Sequence, residues 1–147
     1  ELQNDTDARI FTGGSMSTFK GKYPGLLEES ILALENNIPV YFMGIFGGIT
    51  SRIIEGLNGK KPEELTIEWQ SSQNINYKNF VSHYNSKKSE DKIDYKLTRD
   101  FLNNYTLERL SKNNGLSIEE NERLFNTVHT SEIIFLIMKG LHKTLSK

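Results

Sequence analysis

The sequence contains no cysteine, which excludes disulfides, thiolate metal ligands and a cysteine nucleophile. It fits a reducing compartment, so a cytoplasmic setting is the expectation. Excess charge is also lacking. Lys and Arg number 18 against 19 Asp and Glu, for a formal net charge of −1, without the electrostatic footprint of a general nucleic-acid binder. No apolar run is long enough to cross a bilayer: Ile38 to Ile49 and Ile133 to Met138 fall short of the ~20 residues that a spanning helix needs. The opening residues 1–5 are acidic and polar, unlike the basic and apolar start of a signal peptide. The three histidines, His83, His129 and His142, lack the spacing of a zinc helix. The reading therefore includes no metal, no cofactor, no membrane and no nucleic-acid partner.

Two familiar catalytic motifs are missing as well. Gly14 to Gly21-Lys22 has six residues between its glycines, and Tyr23 stands where a phosphate loop needs the Ser or Thr that holds magnesium. Gly13-Gly14-Ser15-Met16-Ser17 lacks the last glycine of a nucleophile elbow, and no His and Asp can be assigned to serve Ser15.

What is present is a pair of strand, glycine loop, helix units. Ala8 to Thr12 reads as a short buried strand, followed by Gly13-Gly14-Ser15-Met16 and by Gly21-Lys22-Tyr23-Pro24-Gly25. Leu26, Leu27, Ile31, Leu32 and Leu34 then recur at helical spacing. The start of such a helix has unpaired N–H groups and partial positive charge, so an anion is favoured there. Pro24 suits the first helical position, and Gly25 leaves room for a phosphate. Glu28 and Glu29 fall near the first turn. Glu28 reads foremost as a complement to the helix dipole and Glu29 as a functional carboxylate.

The second unit runs from Pro39-Val40-Tyr41-Phe42-Met43 through Gly44-Ile45-Phe46-Gly47-Gly48 into a helix with Ile49, Ile53, Ile54 and Leu57 on one side. Two such units in succession imply a parallel sheet, whose ligands bind outside the carboxyl ends of the strands. Arg52 is either a cation for phosphate or a solvated arginine on an amphipathic helix. The candidate ligand-binding residues are thus Gly13, Gly14, Ser15, Met16, Gly21, Lys22, Tyr23, Pro24, Gly25, Glu28, Glu29, Gly44, Phe46, Gly47, Gly48 and Arg52, and Glu29 is the candidate catalytic residue if the protein is an enzyme.

Arg9 to Gly14, Gly21 to Glu29 and Pro39 to Gly48 together resemble the SLOG superfamily, as does the run from Gly115 to Leu141. That superfamily includes the lonely-guy phosphoribohydrolases and sensor domains beside TIR or Sir2-like modules in prokaryotic defence proteins. The resemblance is concentrated in residues 8–58 and 115–141. It implies a Rossmann-like α/β fold, a mostly parallel sheet flanked by helices, that binds a nucleotide or an NAD-derived signal of the cyclic ADP-ribose type. It also implies an attached effector domain. The hydrolases read P-G-G-x-G-T-x-x-E. Here the Gly25 to Glu29 spacing survives, Leu26 replaces the threonine, and Arg9 is the one arginine upstream of the loop. These departures favour binding over turnover. An N-glycosidic hydrolase or transferase is the alternative, and an oligomerisation domain with a vestigial site the second alternative.

One domain is expected: a glycine-loop core at 8–58, a mainly helical insert at 59–114 and a capping segment at 115–147. Within the insert, Gln70 to Asn79 reads as a loop or weak helix, Lys87 to Lys92 as a solvated turn, and Ile93, Leu97, Phe101 and Tyr105 as one amphipathic helix running to Asn113-Asn114-Gly115. Arg123 to Asn126 is a candidate third strand. Ser117 and Glu120 have the form of a capping box, and Ser131 to Leu145 reads as a helix buried on several sides, capped by Thr130 or Ser131. Two or three strands are few for a parallel sheet. The expectation is that the chain is the carboxyl-terminal part of a larger domain, completed by another segment, another chain or a second copy of itself.

Overall fold

The computed structural model describes residues 6–88 and 90–146. The polar opening at 1–5, Ser89 within the charge run, and Lys147 lie outside the described residues. Strand β1 (Arg9–Thr12), helix α1 (Gly25–Glu35), strand β2 (Val40–Met43) and helix α2 (Gly48–Leu57) follow in the expected order. The strands pair in parallel, Arg9 opposite Val40 and Thr12 opposite Met43, and among the described residues they form a two-stranded sheet. Beyond a 3-10 turn at Glu63–Leu65 come α3 (Ile67–Gln73), α4 (Ile75–Lys87), α5 (Tyr95–Tyr105), α6 (Leu107–Asn114), α7 (Ile118–Asn126) and α8 (Thr130–Leu145). The fold is α/β.

Strand alternation sorts the sheet's side chains into two cores. Phe11, Val40 and Phe42 point into one with Leu27 and Leu34 of α1, Ile49 and Ile53 of α2 and Leu102 of α5; the Phe11 and Phe42 rings stack at 5.5 Å. Tyr41 enters the other with Leu124 of α7 and Leu136 of α8. Strand β2 is thus covered on both faces, as parallel strands require, and each fully buried Leu or Ile contributes about 1.5–3 kcal/mol. Close contact with α8 needs Gly140, where an added Cβ would stand 2.6 Å from the Tyr41 hydroxyl.

At the outer edge of β2, side chains take up the backbone groups of Val40. Val40 donates its amide to Asn113 Oδ1 at 2.9 Å, and its carbonyl accepts from Asn114 Nδ2 at 2.9 Å. Asn114 also bonds Asn121 and the Leu116 amide. Among the described residues, no strand pairs with the outer edge of β1. Arg9 donates to Pro39 O, so in a parallel ladder Ile10 and Thr12 direct their backbone groups away from β2. Ile10 is 53% exposed.

Several expectations are corrected. Arg123 to Asn126 is the end of α7, not a strand; a short apolar run suits either state until its neighbours decide. Of the two readings of Gln70 to Asn79 the helix holds, divided into two at Asn74, whose side chain accepts from the Asn76 amide and caps the second. The helix running to Gly115 is broken at Thr106, which has φ +54° and caps α6. Pro24 is the N-cap of α1, not its first residue, and α8 is preceded by His129, with no side-chain cap. One side of α8 is open, with Ile134, Phe135 and Met138 exposed, so it is not buried on several sides. The capping box at Ser117 and Glu120 is present, and Gly115 ends α6 in the left-handed conformation.

Candidate functional site

The two glycine turns follow the carboxyl ends of β1 and β2, and they press on each other. Gly13 and Gly14 have φ +59° and +89°, Gly47 and Gly48 both +63°, values open to glycine at little cost. The Ile49 amide donates to Gly14 O at 3.1 Å and the Thr50 amide to Gly13 O at 3.0 Å. Two amides in the first turn of α2 are therefore satisfied by the first glycine turn. A Cβ at Gly14 would stand 2.6 Å from Leu26 Cδ1 and 2.8 Å from Ile49 Cγ2, which fixes the start of α1 against the same contact. Phe46 projects from the second turn, 67% exposed.

The start of α1 is arranged differently. The Leu27 and Glu28 amides both reach Pro24 O, at 2.9 and 3.2 Å, whereas the Gly25 and Leu26 amides have no acceptor among the described residues. Gly25 is exposed, and a Cβ there would meet nothing within 4 Å. This is the free helix end that favours an anion.

Between the turns and α1, the loop is held by the helical insert. Met16 O accepts from Gln70 Nε2 at 2.8 Å, Lys22 O accepts from the Tyr77 hydroxyl, and the Tyr23 hydroxyl accepts from the Asp94 amide at 2.8 Å. Lys22 Nζ meets both oxygens of Asp91 at 2.9 Å, and Tyr84 donates to the same carboxylate. The hydrogen bond to Asp91 raises the Lys22 pKa, and the bonds from Lys22 and then Tyr84 lower that of Asp91. Asp91, read as part of a solvated turn, thus anchors the glycine loop. The Ser15 hydroxyl bonds to Ser17 O.

The carboxylates of α1 point to different partners. Glu28 lies 4.0 Å from Lys22, while Glu29, half exposed, reaches Arg9 at 3.3 Å. Arg9 belongs to β1, so this ion pair joins α1 to the strand whose edge is open. Arg52 is 3.0 Å from Glu55 and 3.5 Å from Glu64; it is neither a solvated arginine nor directed at the glycine turns, but ties α2 to the 3-10 turn.

A family model described as SLOG cluster2 matches residues 1–124. The chain belongs to the SLOG cluster2 family. No curated protein and no solved structure matches the chain. Membership makes this a nucleotide-related SLOG domain, and the extent of the match revises the resemblance. The insert at 59–114 lies inside the family, while residues 125–147, including all of α8, lie beyond it.

The concave surfaces of this SLOG domain divide the candidate residues. Gly44 lines a cleft of about 650 Å³ between α2 and α7, with Ser51, Glu55, Lys60 and Glu122. Gly21 lines a cleft of about 170 Å³ with Phe19 and Tyr77, and Tyr23 and Glu28 line one of about 280 Å³ against α5. Gly13, Gly14, Gly47, Gly48 and the start of α1 are brought together, and Glu29 with Arg9 stands along α1 beside them. Lys22, Tyr23 and Arg52 are held elsewhere by acids and by the insert. The anchors Gln70, Asp91 and Asp94 carried no readable signal, because spacing along the chain says nothing of a contact 54 to 71 residues away. Among the described residues no cluster of acids and histidines could hold a metal, and no helix is long and apolar enough to cross a membrane.

Proposed function

We propose that this SLOG domain is the sensor module of a prokaryotic defence or signalling protein and binds a nucleotide or an NAD-derived signal of the cyclic ADP-ribose type. The observation that carries the reading is the free start of α1, with its unpaired Gly25 and Leu26 amides, inside a chain of a nucleotide-related family. A phosphate on those amides gains hydrogen bonds and a favourable helix dipole. Glu29 is one helical turn further on, and its exposed oxygens accept from ribose hydroxyls. Arg9 holds that carboxylate in place without hiding it. The touching turns Gly13 to Gly14 and Gly47 to Gly48 frame the ligand, which enters from the β1 side.

A cradle bounded on one side by β1 is completed by a further strand pairing with that edge, from another segment, another chain or a second copy. Ligand binding shifts this assembly equilibrium, and through it an attached effector in the cytoplasm. Isothermal titration of the assembled protein with NAD, nucleotides and cyclic ADP-ribose isomers tests the reading. Saturable heat that is lost in Glu29→Gln supports it; no heat with any of them refutes it. Release of free base or nicotinamide during the titration would replace the sensor by the hydrolase alternative, with Glu29 stabilising positive charge on the sugar.

A further inference from the structure

Helix α8 is the longest in the chain, and its two sides differ. Ile133, Leu136 and Ile137 are buried in the core that holds Tyr41 and Leu124. On the side turned away from that core stand Ile134, Phe135, Met138 and Leu145, each more than half exposed, with exposed Ser131 and His142 between them. At 3.6 residues per turn these six positions fall within about 100° of the helix surface, the width of the stripe that an amphipathic helix turns to a core. Exposed apolar residues scattered singly need no explanation, but a contiguous stripe marks an interaction surface.

The charges of α8 leave the stripe bare. Lys139 is drawn to Glu120, Lys143 donates to Gly115 O at 3.0 Å, and Glu132 takes Arg123 and the Thr127 hydroxyl. Their heads are held at α7 and the turns that flank it, rather than laid across the apolar face as snorkelling side chains are.

The stripe is also complementary to itself. Ser131 and Leu145 lie seven residues either side of Met138, and Ile134 and His142 four. A two-fold axis at Met138, perpendicular to the helix, lays the stripe on that of an antiparallel second copy, so that Met138 meets Met138, Ile134 meets His142 and Ser131 meets Leu145. The ends agree as well. Glu132 lies in the first turn and His142 and Lys143 in the last, so an antiparallel pair sets acid beside base and the positive start of one helix beside the negative end of the other; a parallel pair sets like beside like. The six residues present on the order of 500 Å² per copy, a size at which a patch on a monomer is often functional. Two copies together bury about 1,000 Å², the least that a specific interface needs.

We propose that this face of α8 binds the same face of a second copy of the chain, as an antiparallel pair across a two-fold axis at Met138. Such an isologous contact closes on itself and makes a dimer, and its area places that dimer among the weak, reversible ones. The contact uses neither β1 nor the glycine turns, so it stands or falls apart from the sensor reading.

The test is sedimentation equilibrium of the whole chain over a concentration series, together with a disulfide trap. A reversible equilibrium between monomer and dimer is expected. Met138→Glu sets two carboxylates against each other at the axis and is expected to weaken the dimer at least tenfold; Phe135→Ser, at least fivefold. Both positions are exposed, and an unchanged circular dichroism spectrum separates loss of the dimer from loss of the fold. The chain has no cysteine, so a single introduced one reports on its own surroundings. Under mild oxidation Met138→Cys is expected to give a disulfide-linked dimer, whereas Leu145→Cys, about 20 Å from its counterpart in the antiparallel pair, is not. A monomer at every concentration, a dimer that Met138→Glu leaves intact as pairing through β1 would be, or equal trapping at positions 138 and 145 overturns the proposal.

Discussion

Replacing Gly48 with alanine tests whether the two glycine turns are locked together by their backbones. Gly48 has φ +63°, and a left-handed alanine costs about 1–2 kcal/mol. Its Cβ would stand 2.7 Å from the Gly13 carbonyl carbon, 2.8 Å from Gly13 O, and closer still to Gly14 O. These are backbone atoms and cannot swing aside like the end of a side chain. The turns must separate, which weakens the Ile49 to Gly14 and Thr50 to Gly13 hydrogen bonds, each worth about 0.5–1.5 kcal/mol net. The expected loss is about 2–5 kcal/mol, a large share of the roughly 5–15 kcal/mol that holds an ordinary domain folded. Gly25→Ala is the control. Its helical backbone accepts alanine and its Cβ position is empty, so it should be neutral or gain about 0.4–1 kcal/mol. Urea unfolding followed by circular dichroism reads both variants as shifts in midpoint at constant slope. A Gly48→Ala protein within about 1 kcal/mol of the parent, or a Gly25→Ala protein equally damaged, would refute the reasoning.

Gly25→Ala should nevertheless weaken ligand binding, because the added methyl stands where a phosphate approaches the helix; calorimetry showing parental affinity would remove α1 from the site. Asn114→Ala strands Val40 O, the Leu116 amide and the Asn121 side chain together, and should cost about 3 kcal/mol or more by denaturant titration; a loss under about 1 kcal/mol would show that water replaces the amide there. Burial raises the Tyr77 pKa to about 12 from 10.0. The unfolded chain loses this proton first, so stability should fall as pH rises from about 10 towards 12. An ultraviolet tyrosinate titration showing Tyr77, located by Tyr77→Phe, ionising near its ordinary value would contradict the burial. Finally, sedimentation of the isolated chain should reveal self-association through the open β1 edge, and a compact monomer that unfolds cooperatively would show that the edge needs no further strand.

The first half of the chain was legible because its punctuation is chemical. Glycines end β1 and β2, and the Ile49, Ile53, Ile54 and Leu57 spacing leaves one face for burial. The capping box at Ser117 and Gly115 at the end of α6 were equally readable. The breaks at Asn74 and Thr106 were not, since neither glycine nor proline marks them, and the side chains that cap the next helices act only once the turns exist. The site was legible in its parts but not in its assembly. Glycines that suggest a phosphate cradle serve first to let two turns touch, and the acids that occupy Lys22 and Arg52 include partners 69 and 12 residues away. The open face of α8 was hidden for another reason: Ile134, Phe135 and Met138 have the composition of a core, and composition cannot tell a buried helix face from an exposed one.

The bonds of Asn113 and Asn114 to Val40 also bear on how copies of this chain would meet if they paired by their strands. A strand ladder that joins one copy's β1 to the next copy's β2 would repeat without end and make a fibre, since a head-to-tail contact that does not close keeps growing. Here the start of that contact, at Val40, is already occupied by two amides from the same chain. Pairing of β1 with β1 across a two-fold axis would use up both free edges and stop after a single addition. Two asparagines at the end of α6 thereby make β2 the poorer edge for a second strand, so that any growth by strand pairing would have to start from β1.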